Sequence, residues 1–246
     1  MSGPTELSLT EDNWGTRMGL WFPGERVVYR GKDLFHDLKH MGWMQLYLYG
    51  ITGRILSEKQ TQLLEGIWTL CTSYPDSRIW NNRIAALAGT VRTTGSLGIS
   101  AAIANSEATI FGQRPVIRSI DFLTRTKEKI DAGDNLFTLV TQELKLYRVV
   151  PGYGRPIVRE DERIAPLMDL AKRLGFNDGY YVDLAFKIEK ILIEGRWRLK
   201  MNAAALIAAL IADIGLTPRE HYLYMTLCFT AGIVPCYLES AIKSEG

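Results

Sequence analysis

Histidine and cysteine are scarce in this sequence. Its 246 residues hold three of each: His36, His40 and His221, and Cys71, Cys228 and Cys236. An odd cysteine count without CxxC spacing argues against a disulfide scaffold and a structural zinc site. It suits a reducing compartment, so a cytoplasmic location is expected. Three scattered histidines leave little material for an imidazole-based metal centre, and no metal is expected. His36 and His40 stand four apart, but Asp37 and Lys39 lie between them and the stretch reads as a solvated face. An excess of one charge sign is missing too: 29 Lys+Arg against 27 Asp+Glu leave a net charge of +2. Such a chain has no electrostatic mandate to bind nucleic acid or an acidic membrane.

No hydrophobic run reaches membrane length. Residues 202–216 are nearly all Ala, Leu and Ile but carry Asp213 and close on Gly215, and residues 222–238 hold Gly232 and Pro235. Both fall short of the ~20 apolar residues that a spanning helix needs, and they read as buried helices of a large α-domain. The first eight residues lack the basic-then-apolar pattern of a secretory leader, so none is expected. Strand-like material is confined to residues 25–30 and 144–150.

Helical punctuation is plentiful. Ser57-Glu58-Lys59-Gln60 is a capping box, in which the Ser hydroxyl takes an N–H of the first turn and Gln reaches back to the cap. It opens a stripe of Leu63, Leu64, Ile67, Trp68 and Cys71, which Tyr74-Pro75-Asp76 ends as a turn. Residues 82–107 form a helical region rich in Ala and Gly, a composition that suits close helix crossings or dimer contacts. Residues 163–174 and 181–194 carry helical apolar stripes that stop at Gly175 and Gly195. Thr217-Pro218-Arg219-Glu220 is a second capping box with Pro at its first helical position. The three cysteines sit in apolar runs and read as core. The expected fold is all-α: a large helical domain of residues 27–121 and 177–246 after an N-terminal segment of 1–26, with a smaller helical subdomain at 122–176.

Residues 144–163 read LKLYRVVPGYGRPIVREDER. The GYG does not begin a dinucleotide fingerprint, because the third glycine is missing and no βαβ rhythm surrounds it. On its own the segment is a Pro-Gly turn between an extended piece and a charged helix start.

Several landmarks nevertheless run in a recognisable order. Val149-Val150-Pro151-Gly152-Tyr153-Gly154 resembles the citrate synthase family's V-P-G-Y/F-G-H loop, and Asp161-Glu162-Arg163 resembles its D-P-R. Tyr29-Arg30-Gly31-Lys32-Asp33 is similar to the family's early Y-R-G-x-D turn, and residues 46–50, LYLYG, to the helix after it. Thr94-Gly95-Ser96, Ile214-Gly215-Leu216-Thr217-Pro218 and Thr230-Ala231-Gly232 resemble the T-G-S, L-G-I-P and R-x-x-G landmarks. The resemblance spans about residues 27–240 and is nearest in compactness to the citryl-CoA lyase-like members. It implies a citrate synthase-like multi-helical fold, a homodimer, and a coenzyme A thioester with a carboxylate as ligands.

The same resemblance implies that the chemistry is altered. Family members use two histidines and an aspartate. Here the first His position falls on Phe111, the second on Arg155 and the Asp position on Ala204, two residues after a matching Asn202. Two substrate-anchoring positions fall on Ile79 and Phe229, while Arg163 matches a dicarboxylate anchor. The loop that meets the adenine of coenzyme A in the family is intact as Val150, Pro151, Gly152, Tyr153 and Gly154, with Arg148, Arg155 and Arg159 near enough in sequence to meet phosphates.

Two functional expectations follow. In one, the chain is an acyltransferase or C–C lyase with a rebuilt site. Arg155, Glu107 and Asn202 then carry the chemistry, and Arg163, Asn81, Asn82 and Gln113 hold the substrate. Glu107 is placed one helical turn before Phe111 as a substitute carboxylate. Asn81 or Asn82 reads equally well as the cap of the next helix. In the other, the chain is inactive and acts as a CoA-thioester sensor or as the partner of an active homologue.

Overall fold

The computed structural model describes Thr5, Leu9 and residues 15–109, 112–155 and 160–243. It divides into two compact units, residues 1–56 and 57–246.

The first unit holds a small antiparallel sheet of β1 (Gly19–Phe22), β2 (Arg26–Tyr29) and β3 (Lys32–Asp33), in that order. Strand β2 is the expected extended piece at 25–30; β1 and β3 add to it. Arg30 and Gly31, at φ 47° and 80°, make the two-residue turn between β2 and β3. Both left-handed positions match the strand twist in a mirror-type hairpin turn. Helix α1 (Trp43–Thr52) follows. Its Tyr49 hydroxyl donates to the Arg30 carbonyl at 2.7 Å, and Arg30 Nε donates to the Gly50 carbonyl at 2.9 Å. The YRGKD turn and the LYLYG helix are therefore locked together. His36 and His40 lie in turns before α1 and are exposed, and His36 Nδ1 meets Asp37 at 2.9 Å.

The second unit is helical among its described residues. Its helices are α2 (Glu58–Cys71), α3 (Trp80–Thr90), α4 (Gly95–Asn105), α5 (Gln113–Asp131) and α6 (Leu136–Tyr147). The order continues with α7 (Ile164–Leu174), α8 (Tyr180–Glu194), α9 (Ala203–Asp213), α10 (Pro218–Met225) and α11 (Leu227–Ala241). Both capping boxes form as read, at Ser57 with Gln60 and at Thr217 with Glu220.

Two readings need correction. Residues 144–147 are the last turn of α6, not a strand: Asn135 caps that helix, and Leu139, Val140, Glu143 and Leu144 bury one face of it. The short run LKLYRVV is compatible with either period, and the packing stripe begins upstream of it. The small-residue region is two helices rather than one. It breaks between Thr90 and Gly95, where Arg92 takes φ 55°.

The small residues do allow close crossings. A Cβ on Gly89 would lie 2.4 Å from the Tyr237 carbonyl oxygen of α11, and one on Gly98 would lie 2.6 Å from Ala88 Cβ. Helix α9 is the centre of the unit. Eight consecutive residues, Ala205 to Ala212, are buried, and α5, α7 and α8 pack around it. Asp213 closes its far end by accepting from the backbone N–H groups of Tyr181 and Val182 at 2.8 and 3.0 Å, which fixes the start of α8. Cys228 and Cys236 are buried and Cys71 is half-buried; burial pushes the Cys228 thiol upward and Cys71 to about 12. Such thiols stay protonated and unreactive. Among the described residues no helix is long and apolar enough to cross a membrane.

His221 on α10 is fully buried, and among the described residues neither ring nitrogen has a hydrogen-bond partner. Burial lowers its pKa from 6.5 to about 3. An unsatisfied buried polar group costs roughly 1–3 kcal/mol, so His221→Leu is expected to raise stability by that order. The unfolded chain takes up this proton near pH 6.5 and the folded chain resists it. Native stability therefore falls as pH drops from 6.5 towards 3. The His221→Leu variant should lose that slope in denaturant titrations. An unchanged slope would count against the orphaned imidazole.

Candidate functional site

The VPGYG loop begins where α6 ends. Arg148 terminates α6 in the left-handed region at φ 62°, and Val150 is buried beneath the turn. Gly152 and Gly154 sit at φ 85° and 87°, a conformation that L side chains pay for in strain. A Cβ on Gly152 would lie 2.5 Å from Ala205 Cβ and 2.9 Å from Ala205 N. Glycine here serves the fit against α9 as well as the turn.

Three hydrogen bonds hold the loop to the segment entering α9, and a fourth holds it to α8. Gly154 N–H donates to the Lys200 carbonyl at 2.6 Å, and Asn202 N–H donates to the Gly152 carbonyl at 2.9 Å. Asn202 Nδ2 donates to the Gly154 carbonyl at 2.9 Å, and the Tyr153 hydroxyl donates to the Ala185 carbonyl of α8 at 2.8 Å. The other side of the Asn202 amide, its Oδ1, accepts from Ala204 N–H at 2.9 Å as the cap of α9. Asn202 is thus a clasp between loop and helix, with both ends of its amide engaged. Ala204 stands in the first turn of α9 and offers neither a donor nor a base.

Close to the loop lies Asp161, which the sequence marks only as part of the Asp161-Glu162-Arg163 landmark and not as a site residue. Its side chain is fully buried. It accepts from Arg163 Nε and Nη2, both at 2.8 Å, and from the backbone N–H of Ala203 at 2.9 Å. Burial alone would raise its pKa, but these donors outweigh it and hold the carboxyl at about 2. Asp161 therefore sits at the positive end of α9, where an anion is favoured. It occupies the fork of Arg163, the guanidinium matched to a dicarboxylate anchor. Arg155 Nη1 turns to Glu162 at 2.5 Å and to the Glu160 carbonyl at 3.1 Å, and Lys200 pairs with the Glu160 side chain.

The remaining expected residues form a second group. Neither Asn81 nor Asn82 caps α3, since Ile79 holds that position; both are buried in its first turn. Asn81 Nδ2 donates to Ser106 Oγ at 2.9 Å, and Asn82 Nδ2 donates to the Tyr74 carbonyl at 2.8 Å. Gln113 N–H donates to the Ser106 carbonyl at 2.9 Å, and its Nε2 donates to the Tyr222 carbonyl at 2.8 Å and to Thr226 Oγ1 at 2.5 Å. Glu107 is not on a helix face as expected, because α4 ends at Asn105; its carboxylate accepts from the Tyr222 hydroxyl at 3.1 Å. Gly112, at φ 153°, closes the turn before α5, where a Cβ would lie 2.4 Å from the Ser106 carbonyl oxygen. Phe111 and Arg159 lie outside the described residues. No group of three or more His, Cys, Asp or Glu side chains suited to a metal occurs among those described.

Citryl-CoA lyase from Hydrogenobacter thermophilus superposes on this chain with a TM-score of 0.82, over 95% of this chain and 89% of its own, at 18% identity. The chain has the citrate synthase-like fold. ATP citrate lyase from Methanothrix soehngenii, solved with citrate and coenzyme A, matches at TM-score 0.78 over 97% of this chain and 41% of its own, at 18% identity. Citrate synthase from Thermoplasma acidophilum, solved with carboxymethyl coenzyme A and oxaloacetate, matches at TM-score 0.60 over 83% of this chain and 56% of its own, at 15% identity. No family model matches the sequence, and no curated protein matches it. Within the citrate synthase-like fold of this chain, the loop at 150–154 and the first turn of α9 meet edge to edge.

Proposed function

We propose that this chain is a citrate synthase-superfamily protein that binds a coenzyme A thioester on the 150–154 loop, without the proton-transfer chemistry of an acyl-CoA enzyme. The observation that carries this reading is the contrast across Asn202. On one side the glycine-shaped loop is intact; on the other, Ala204 stands where an acyl-CoA enzyme would place its base. Removing an α-proton from a thioester needs a positioned base and a donor to the developing oxyanion. Losing either costs a typical enzyme about 10²–10⁴-fold. The other expected catalytic side chains are committed: Asn202 to the loop and to its own helix, Glu107 to Tyr222, and Arg155 to Glu162. Arg163 would release a dicarboxylate site only by leaving Asp161. The thioester is thus a sensed ligand.

Partnering belongs to the same reading. Leu87, Val91, Leu97, Leu238 and Ile242 are exposed on or beside α3, α4 and α11, a concentration of apolar surface that a second copy or an active homologue would cover. The reading also places the protein in the cytoplasm, with residues 122–176 as the smaller subdomain that presents the loop.

Isothermal titration with acetyl-CoA and with desulfo-coenzyme A tests the ligand. Saturable binding of both is expected, together with no release of coenzyme A from acetyl-CoA plus oxaloacetate. No binding at about millimolar ligand, where even a −4 kcal/mol interaction registers, would sink the proposal. Turnover that disappears in Arg155→Ala would establish the rebuilt-site enzyme instead.

A further inference from the structure

Between α5 and α6 lies a surface cavity of about 190 Å³ that the preceding proposal does not use. Its floor is Phe122, Thr126, Leu139 and Glu143, all buried. Glu143 is the feature that demands an explanation. Its residue is 8% exposed, and a buried carboxylate is costly unless it is paired and hydrogen-bonded. The cation beside it, Arg125 Nη2, stands at 3.6 Å, beyond hydrogen-bond reach, while Arg125 Nε is given to Asp121 at 2.8 Å. Burial accordingly raises the Glu143 pKa, and Arg125 only partly offsets it.

Other polar groups line the same space. Lys129 lies one helical turn beyond Arg125 on the rim and makes no ion pair within 4 Å among the described residues. Gln142 and Tyr147 complete the polar side of the opening, and Phe122, Leu139 and Leu146 its apolar side. The lining charges are Arg125 and Lys129 against Glu143; Asp121, outside the lining, pairs with Arg125 Nε and brings the neighbourhood to formal neutrality. An ion of one sign would leave the site unbalanced, whereas a ligand with separated opposite charges matches it at both ends. The volume equals that of about six liquid water molecules and lies below the ~300 Å³ at which pockets for drug-sized ligands begin. It suits a small metabolite.

We propose that this cavity binds a free α-amino acid with a short aliphatic side chain, its ammonium on Glu143, its carboxylate on Arg125 and Lys129, and its side chain against Phe122, Leu139 and Leu146. The site is independent of the coenzyme A reading. It lies on the helix whose last turn leads into the VPGYG loop.

L-Leucine titrated into the full chain by calorimetry is the test, with 4-methylpentanoate and isopentylamine as the two singly charged analogues. Leucine should bind saturably with a Kd of about 0.1–1 mM and raise the melting temperature by a few degrees at about 10 mM. Each analogue should bind at least about tenfold more weakly, because each leaves one buried or rim charge unmatched. Glu143→Gln and Lys129→Ala should each weaken leucine at least about tenfold. Lys129 is exposed, so that variant decides the matter should Glu143→Gln fail to fold. No saturable binding of leucine, valine or alanine at about 20 mM, which exceeds the expected Kd at least twentyfold, overturns the proposal. So does an analogue that binds as tightly as leucine, or leucine affinity unchanged in both variants.

Discussion

A Gly152→Ala variant is expected to lose about 2–5 kcal/mol of stability and to melt roughly 10 °C lower. Two effects combine. The left-handed backbone at φ 85° strains any L side chain by about 1–2 kcal/mol. The new methyl must also enter a gap already filled by Ala205, 2.5 Å away and on the rigid, fully buried face of α9. Overpacking of that kind costs about 1–3 kcal/mol in itself. Gly175 separates the two, because it shares the conformation at φ 84° but has nothing within 4 Å of a Cβ. Gly175→Ala should therefore cost only the strain. Thermal melts of the two variants side by side give the answer. Equal losses would show that α9 can yield, and that the loop is not seated on it as tightly as the distances imply. In the folded fraction of Gly152→Ala, coenzyme A affinity should fall along with stability.

Asp161→Ala is expected to cost about 2–3 kcal/mol, less than the penalty for breaking a fully buried ion pair because the Arg163 side chain left behind is 38% exposed. It leaves the Arg163 guanidinium without its two 2.8 Å acceptors and the first N–H of α9 without the carboxylate that caps it. The contribution has a defined pH window. The carboxyl titrates near 3.8 in the unfolded chain and near 2 in the folded one. Its stabilisation is complete above pH 3.8 and is lost as pH falls through 2, a total of about 2 kcal/mol. Acid denaturation of the parent and of Asp161→Asn, followed by circular dichroism, should converge below that window and diverge above it. Curves that stay parallel throughout would contradict the role given to this carboxylate. The acid losses from His221 and Asp161 occupy successive ranges, the first between 6.5 and 3 and the second below 3.8.

Where a local rule decided the conformation, the sequence could be read to the residue. Ser57 and Thr217 close capping boxes because a hydroxyl and a Glu or Gln three positions later satisfy each other without outside help. Gly175 and the Arg30-Gly31 turn likewise need only their own backbone preference. The fold as a whole was legible because short glycine-bearing landmarks such as TGS and VPGYG recur in fixed order. The site was less legible, because its geometry depends on pairs far apart in the chain. Asn202 reads, through the resemblance, as one of the residues that carry the chemistry. Only the structure shows its amide spanning 48 positions to the Gly154 carbonyl. Asn81, Asn82 and Gln113 read as ligand-binding amides, yet folding turns them inward to carbonyls and hydroxyls of neighbouring segments. Asp161 was in plain view beside Arg163, and the i, i+2 carboxylate–guanidinium spacing was the available signal. Glu143 offered none, since its burial comes from α5 packing over it.

The tie between Tyr153 and Met201 has a kinetic consequence. These residues pair as an isolated bridge, and the chain between them makes all of α7 and α8. A turn that depends on so distant a partner gains its stabilising contacts only after that long excursion has closed, and such closures are slow compared with helix formation. During refolding, helical circular dichroism should recover first and the 150–154 loop should acquire its shape late. Recovery of ligand binding then becomes a clock for the last cooperative step rather than for the appearance of helices.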